Sequence, residues 1–325
     1  MLRFILKRIL LLIPVLIGVT FIVFVILSAG PPEGTIVAIL GEGATEEAVA
    51  QLRAELGLDY PLLVRYVRYI WGVLQGDFGL SFRTRLSVAD QLVVRFPNTA
   101  ILATSSMLLA ILVGVPLGVL SAKKQNTFLE RSLSFTALVG VSIPNFWLGL
   151  MLVIIFALNL GVLPSQGMGT GIWGLLRSLI LPAFTLSTGI AATIMRMTRS
   201  SMLETIRQDY VSTARAKGLK ESQVTRDHML KNALIPIITV TGLQFGVLLG
   251  GSVLTEMIFS WPGVGRYMLE SILARDTPAV LGAVIVISMC FAVVNLIVDI
   301  IYAFVDPRIK SQYKNAQAAG RRSKA

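Results

Sequence analysis

The chain has almost no cysteine and almost no histidine. Its 325 residues include one cysteine, Cys290, and one histidine, His228, so an internal disulfide cannot form and a histidine-rich metal site cannot be assembled. The zinc-protease pattern HExxH is missing, and the dipeptide Gly-Lys never occurs, which excludes a GxxxxGK[ST] phosphate-binding loop. We therefore expect no catalytic residue, no metal and no cofactor, and any use of ATP must depend on another chain.

Charge is also scarce. Charged residues make up 14% of the sequence, compared with about 25% in an average soluble protein, while 54% of the residues are hydrophobic. Several apolar runs of about twenty residues are each long enough to cross roughly 30 Å of hydrocarbon as a helix. The pattern predicts an all-α integral membrane protein whose six transmembrane helices lie at approximately 9–29, 99–122, 133–158, 176–195, 234–255 and 279–304.

The basic residues are unevenly distributed between the connecting segments. If the N-terminus lies in the cytoplasm, 20 of the 29 Lys and Arg residues fall in cytoplasmic pieces, and the other side carries nine basic and eleven acidic residues. An excess of Lys and Arg marks the cytoplasmic side of a membrane protein. The distribution predicts an N-in/C-in topology with six spans. The net charge of +11 is therefore a topology signal, with attraction to anionic lipid as a secondary effect, and we expect no nucleic-acid partner.

The sequence predicts four consecutive divisions: an N-terminal segment with the first span (1–29), an external segment (30–98), a five-helix core (99–310) that includes a cytoplasmic loop (196–233), and a basic tail (311–325). In the external segment, Thr45 is a candidate N-cap and Gly57 a candidate C-cap of one helix. A second helix is predicted to carry an apolar stripe of Leu63, Tyr66, Val67, Ile70 and Leu74. This segment is interpreted as a cap packed on the spans or, alternatively, as a lid or docking surface for a delivery partner.

Glycines recur at helical spacing inside two predicted spans. Gly114 and Gly118 form one GxxxG pattern, and Gly242, Gly246 and Gly250 form a double one. Glycine faces let membrane helices approach closely. We expect helix packing at the stripe 242/246/250, and a place on the translocation path is the alternative.

Two polar features are unusual for simple spans. Glu256 precedes the segment MIFSWPGVG, in which Pro262 and Gly263 end any helix, so an interfacial turn or a re-entrant corner is expected there. Asn295 and Asp299 lie inside the sixth predicted span, where a carboxylate needs a partner or a water-filled cavity. A structural hydrogen bond or ion pair is favoured for them over a role in transport.

The most polar stretch between two spans is 209–236, with the sequence DYVSTARAKGLKESQVTRDHMLKNALIP. Its pattern predicts one short helix that ends at Gly218 and a second that runs from Glu221 towards Pro236. Small residues at Ala214 and Gly218 leave room for another protein, and Arg215 and Lys217 offer positive charge to an acidic surface. The alternative is an amphipathic loop whose Lys and Arg side chains reach the lipid headgroups.

The same stretch resembles the cytoplasmic loop signature of ABC-importer permease subunits, and more narrowly of the dipeptide/oligopeptide/nickel branch. The resemblance rests on DYVSTARAKGL at 209–219 followed by NALIP at 232–236. Stretches at 5–24, 56–82, 255–266 and 298–310 are also similar to that branch, so the resemblance covers nearly the whole chain in order. It implies the type I importer permease architecture and a location in the bacterial cytoplasmic (inner) membrane.

In that family the loop docks as a coupling helix on a cytoplasmic ATPase subunit. The resemblance places the contact at Ala214 and Gly218, with Tyr210, Arg215 and Lys217 beside it; Ser212 stands where the general family pattern has glutamate. The implied partners are a second homologous permease subunit, two ATPase subunits or domains, an extracytoplasmic substrate-binding protein and membrane lipid.

The resulting hypothesis is a permease subunit of an ATP-driven importer that works by alternating access and has no enzymatic activity of its own. Its cargo is left open among dipeptides, oligopeptides, glutathione-like compounds and nickel chelates. An ion-coupled secondary transporter that works without ATPase subunits is the alternative, and a purely structural membrane protein is a third possibility.

Overall fold

The computed structural model describes residues 2–29, 36–37, 39–41 and 43–305. Within them the regular structure is helical, apart from one antiparallel bridge between Leu80 and Ser87. In chain order the helices are α1 (Leu2–Ser28), α2 (Glu46–Glu55), α3 (Leu62–Leu74), α4 (Val88–Lys123), α5 (Phe128–Ser142), α6 (Asn145–Leu152), α7 (Gly171–Ile206), α8 (Asp209–Ala216), α9 (Glu221–Gln223), α10 (Lys231–Gly251), α11 (Val253–Ile258), α12 (Val264–Leu273) and α13 (Thr277–Val305). Two π-helical stretches, Val153–Asn159 and Val224–Leu230, directly follow α6 and α9.

The described helices include several that can cross a membrane. Four are long and apolar enough: Val88–Lys123, Gly171–Ile206, Glu221–Gly250 and Thr277–Val298. A bent pair of helices provides a fifth if it counts as one span, and Ile13–Ser28 in α1 is a shorter apolar helix. The predicted all-α membrane protein is therefore confirmed as a class.

The third predicted span, at 133–158, was wrong as one continuous helix. The structure breaks it into Phe128–Ser142 and Asn145–Asn159, which meet at 97°. The cause is local: Ile143 precedes Pro144, and the proline ring disfavours helical geometry at the residue before it. Ile143 accordingly adopts an extended conformation, with φ −76° and ψ 123°.

The described residues form two compact units. The first consists of Met1–Leu102, Leu163–Ser178 and Leu249–Ala292, and the second contains the remaining segments Ala103–Val162, Leu179–Leu248 and Val293–Ala325. Each has its own buried apolar clusters. In the first unit one cluster is built around Val88, Val264 and Ala283. In the second a cluster is built around Met202, Val211 and Met229.

In the first unit, α2 begins and ends where the sequence predicts. The Thr45 hydroxyl accepts a hydrogen bond from the Ala48 backbone N–H at 3.3 Å, so Thr45 is the N-cap of α2. Gly57 follows α2 with φ +63°, the left-handed conformation that commonly ends helices. Both predicted caps are confirmed.

The predicted apolar stripe of α3 is divided between two environments. Tyr66 is buried against α1: its hydroxyl donates to the Ile17 carbonyl at 2.8 Å, and its ring lies 5.1 Å from that of Phe21. Leu63, Val67 and Leu74 are instead exposed in this chain. One side of α3 thus packs on the first apolar helix, and the other side remains open.

Candidate functional site for coupling to a partner chain

The short helix α8 is amphipathic. Val211 and Ala214 are buried on its inner side, at 0% and 4% exposure, while Tyr210 is 42% exposed. Asp209 lies in the first turn and Arg215 in the last, so both charges favour the helix dipole. The sequence therefore forms a helix with one anchored face and one face open in this chain.

Gly218 ends α8 in a Schellman motif. Its φ is +77°, and the two backbone hydrogen bonds of the motif are present: Gly218 N–H donates to the Arg215 carbonyl at 2.9 Å, and Leu219 N–H donates to the Ala214 carbonyl at 3.4 Å. A residue with a side chain would be strained at this φ. The predicted helix end is confirmed, and the glycine is required by the backbone whatever it contacts.

An ion pair crosses the joint at Gly218. Arg215 Nη2 lies 2.9 Å from Glu221 Oε1 and Arg215 Nε lies 3.2 Å from Glu221 Oε2, so the guanidinium binds the carboxylate at two points. These hydrogen bonds raise the pKa of Arg215 above its ordinary value. The pair links the end of α8 to the start of α9 across the glycine.

Beneath α8 lies an apolar cluster that we call the loop base. Its buried members come from α4, α7, α8, the second π-helical stretch and α10: Ala122, Met202, Val211, Ala214, Val224, Met229, Ala233 and Ile237. Because interiors are close-packed, α8 is in direct contact with these helices through the loop base. The loop base thus connects α8 mechanically to three helices that are long enough to span a membrane.

The five predicted coupling residues do not form a single exposed set. Tyr210, Arg215, Lys217 and Gly218 are exposed, and no atom lies within 4 Å of the position that a Cβ on Gly218 would occupy. Ala214 is instead a member of the loop base, so its side chain is not available to another protein in this conformation. Its small size suits tight packing beneath the helix. Glu221 and Val211, which the resemblance did not single out, hold the geometry.

The predicted glycine stripe of the fifth span is used for packing at two of its positions. A Cβ on Gly242 would clash with the side chain of Val298, and one on Gly250 would lie 3.3 Å from Ile287 Cγ2. Gly246 is buried. Gly114 shows the same principle on α4, where a Cβ would lie 2.7 Å from the Ala191 carbonyl oxygen on α7. A place for the stripe on a translocation path stays a prediction.

Two predicted intramembrane polar residues lie on α13. Asn295 is half-buried there. Asp299 belongs to the same helix by its backbone, and its side chain lies outside the described residues. Their predicted hydrogen bond or ion pair therefore stays a prediction.

In the part of the chain that the structure describes, no group of three or more His, Cys, Asp or Glu side chains could hold a metal ion.

Glu256 is the centre of a buried polar network in the first unit. It is fully buried, and its carboxylate accepts hydrogen bonds at 2.9 Å from the Thr99 hydroxyl, the Ser252 hydroxyl and the Arg266 backbone N–H. Burial raises the pKa of the carboxyl group, while these hydrogen bonds oppose that shift. Glu256 thus ties α4, α11 and α12 together.

The turn that follows Glu256 requires a glycine at position 263. A Cβ on Gly263 would clash with the Glu256 carboxylate, so only glycine lets the backbone pass so close. The Asn98 side-chain amide donates to the Pro262 carbonyl at 2.9 Å, and the Trp261 indole donates back to the Asn98 carbonyl at 2.9 Å. The expected helix end at Pro262-Gly263 is therefore a turn built on a buried carboxylate.

Comparisons with known proteins cover almost the entire chain. Residues 114–311 match the family described as binding-protein-dependent transport system inner membrane component, and residues 1–103 match its N-terminal membrane component. The chain is 41% identical to the dipeptide transport system permease protein DppB of Escherichia coli K12, over 95% of this chain and 99% of that one. It is also 41% identical to the glutathione transport system permease protein GsiC of Salmonella paratyphi A, with the same coverage.

A solved structure supports the fold. The inward-facing methionine ABC transporter MetNI contains a chain that matches with a TM-score of 0.54 and 21% identity, over 66% of this chain and 96% of that one. The expected family resemblance is confirmed, and the relatives give no support to an ion-coupled carrier. The chain belongs to the binding-protein-dependent transport system inner membrane components: it is a multi-pass permease subunit of an ABC importer of the inner membrane, with ATP hydrolysis carried out by separate subunits.

Proposed function

We propose that this chain is one of two related permease subunits of an importer for dipeptides, longer peptides or related small solutes such as glutathione. The observation that carries the proposal is the 41% identity over 95% of the chain to permeases named for dipeptide and for glutathione transport. A nickel chelate remains a further possible cargo. The other proposed partners are two cytoplasmic ATPase subunits or domains and an extracytoplasmic substrate-binding protein.

The surface formed by Tyr210, Arg215, Lys217 and Gly218, which we call the docking face, is proposed to contact an ATPase subunit. Two observations support it: the face is open in this chain, and the loop base beneath it connects α8 to α4, α7 and α10. Ala214 is assigned to the support of that face. ATP binding would move α8, and the packed helices would follow, which shifts the equilibrium between two access states.

The proposed topology has six spans with both termini in the cytoplasm. In it, α1 is the first span and the bent pair α5–α6 is the third. The predicted external segment 30–98, core 99–310, loop 196–233 and tail 311–325 are retained as functional divisions. The distribution of Lys and Arg supports this orientation.

Labelling of single cysteines tests the topology. In a Cys290→Ser background, a membrane-impermeant thiol reagent added to intact cells should label Gly76→Cys and leave Lys217→Cys unlabelled until the cells are permeabilised. Labelling of both positions in intact cells would contradict the proposed orientation.

A bulky side chain on the docking face tests the coupling proposal. Gly218→Trp should leave membrane insertion intact but abolish copurification of the ATPase subunits and peptide uptake, because no atom of this chain occupies that space. The matched control is Gly76→Trp, because Gly76 also has positive φ (+85°) and open space around its Cβ position, yet lies in the external segment. Normal uptake by Gly218→Trp, or equal loss in both variants, would remove the assignment.

The cargo class needs a separate measurement. Uptake of radiolabelled dipeptide, tripeptide and glutathione into proteoliposomes that hold the complete importer, with its binding protein outside, should require ATP. Uptake that continues without ATP and follows an imposed proton or sodium gradient would instead support the secondary transporter.

A further inference from the structure

Beneath the external helix α3 the first unit contains a cavity of about 330 Å³. Apolar side chains form most of its wall, among them Phe24, Leu56, Leu58, Phe82 and Leu281. Arg65 and Tyr69 are four residues apart on α3, so they share one face of the helix, and both line the cavity. Arg85 and Thr277 also line it, so the mostly apolar wall carries a small number of polar groups, which is the usual character of a ligand site.

Arg65 has no carboxylate partner among the described residues. It is half-buried, and within the described part of the chain its guanidinium contacts the ring of Phe24, with Cζ 5.6 Å from the ring centroid, and forms no ion pair. Burial lowers the pKa of this guanidinium. An arginine that is partly removed from water, and whose described neighbours include no carboxylate, would be stabilised by an anion beside it.

Tyr69 provides the second unused group. Its hydroxyl is buried and has no hydrogen-bond partner among the described residues. Burial and the charge of Asp77 raise its pKa, so the hydroxyl stays protonated and available as a donor. A buried hydroxyl without a partner is uncommon in folded proteins and points to a missing acceptor.

The position of α3 along α1 indicates where that acceptor comes from. The contacts of α3 are with Ile17, Thr20, Phe21 and Phe24, which all lie within the apolar helix Ile13–Ser28. Phe24 lies about 6 Å from the end of α1 at Ser28, given 1.5 Å of rise per residue. Arg65 is therefore located near the level at which the hydrocarbon gives way to the headgroups.

The open side of α3 is suited to acyl chains. Leu63, Val67, Trp71 and Leu74 recur at helical spacing on that side, and each is more than 60% exposed. On α1, Ile22 and Ile26 are also exposed. Helices with an apolar face that carries tryptophan lie in the membrane interface. The exposed apolar side chains of α3 and those of α1, the proposed first span, are thus both suited to contact with lipid.

We propose that this cavity binds an anionic phospholipid, whose phosphate is held by the Arg65 guanidinium and the Tyr69 hydroxyl and whose hydrocarbon lies along α1 and the exposed side of α3. Arginine is suited to phosphate because its planar fork donates two parallel hydrogen bonds. The lipid would fix α3 to the membrane at the outer end of the first span.

Native mass spectrometry of the purified full chain, titrated with phosphatidylglycerol and separately with phosphatidylcholine, tests the proposal. The wild type should retain one phosphatidylglycerol in preference to phosphatidylcholine. Arg65→Gln should weaken that binding about tenfold, the effect of losing roughly 1.4 kcal/mol from a charge-assisted contact. The matched control is Arg68→Gln, because Arg68 lies on the same helix but over the ring of Tyr60, at 3.9 Å, and does not line the cavity.

A second variant keeps the test informative if Arg65→Gln folds poorly. Leu80 lines the cavity and is largely exposed, so Leu80→Trp fills the space without a change of charge and should also displace the lipid. Equal lipid retention by Arg65→Gln and wild type would overturn the proposal. So would displacement of the lipid by equimolar glycerol 3-phosphate or a free dipeptide, because the site would then select a small soluble anion.

Discussion

The Arg215 guanidinium and the Glu221 carboxylate form a two-point ion pair across the glycine joint between α8 and α9, with N–O distances of 2.9 and 3.2 Å. Both side chains are about half exposed. The pair is therefore expected to contribute little to stability. We infer that its role is geometric, because it joins the helix that carries the docking face to the segment that leads into α10.

A double-mutant cycle on this pair should separate stability from coupling. Arg215→Gln, Glu221→Gln and the double variant should each change the free energy of unfolding by less than about 1 kcal/mol, as expected for solvent-exposed ion pairs. Glu221→Gln should nevertheless lower uptake relative to ATP hydrolysis, because the joint loses its fixed angle. Arg226→Gln is the control: it breaks an exposed pair with Asp227 beyond the joint and should leave that ratio unchanged. A large stability loss in Glu221→Gln would contradict the geometric role.

The loop base should transmit force only while it is packed. Val211→Ala removes two methyl groups from a fully buried site and should cost on the order of 1–2 kcal/mol of stability. ATPase subunits should still bind, but more ATP should be hydrolysed per imported solute. The comparison is Val93→Ala on α4, which is 71% exposed. Unchanged coupling in Val211→Ala would show that α8 acts without the loop base.

Removal of the Glu256 carboxylate should be more harmful than neutralising it. Glu256→Ala leaves the Thr99 and Ser252 hydroxyls and the Arg266 N–H without their acceptor, a loss on the order of 3 kcal/mol, whereas Glu256→Gln keeps an oxygen in place. Thermal unfolding of the purified chain measures the difference. Equal melting temperatures for the two variants would contradict the network.

The raised pKa of Glu256 has a pH consequence with a definite sign. Because burial favours the neutral form in the folded state, the contribution of this group to stability is greatest below its unfolded pKa, about 4.3, and is lost as pH rises through the raised folded value. The wild type should therefore lose melting temperature relative to Glu256→Gln as pH increases from about 4 towards neutrality. A constant difference across that range would contradict the shift.

The glycine at 242 should tolerate no side chain. Gly242→Val places two methyl groups against Val298 and should reduce both the melting temperature and the yield of monodisperse protein, through overpacking of about 1–3 kcal/mol or more. Gly18→Val in α1 is matched to it, because no atom lies within 4 Å of its Cβ position. If Gly18→Val were equally harmful, helix propensity rather than packing would explain the loss.

At the candidate coupling site, the sequence predicted the backbone conformation better than the burial of the side chains. Gly218 as a helix end followed from residue type, because left-handed φ is inexpensive only for glycine. The burial of Ala214 did not follow, because its small size suits a partner contact and a tight internal contact equally well. The burial of Val211 did not follow either, because it depends on residues from four other elements that form the loop base.

Local sequence determined the helical membrane class, the caps at Thr45 and Gly57 and the family, because apolar length, capping chemistry and motif order are properties of consecutive residues. Pro144 could have predicted the break in the third span. The apolar residues on both sides of it, however, form a continuous run that is typical of a single span. Only the tertiary structure decided that Glu256 accepts hydrogen bonds from Thr99 and Arg266 and that Ala214 lies inward. It also decided that Arg65 and Tyr69 line one cavity, in which Tyr69 has no hydrogen-bond partner among the described residues. Those relationships join residues far apart in the chain, and they depend on how the helices pack rather than on the pattern along any one of them.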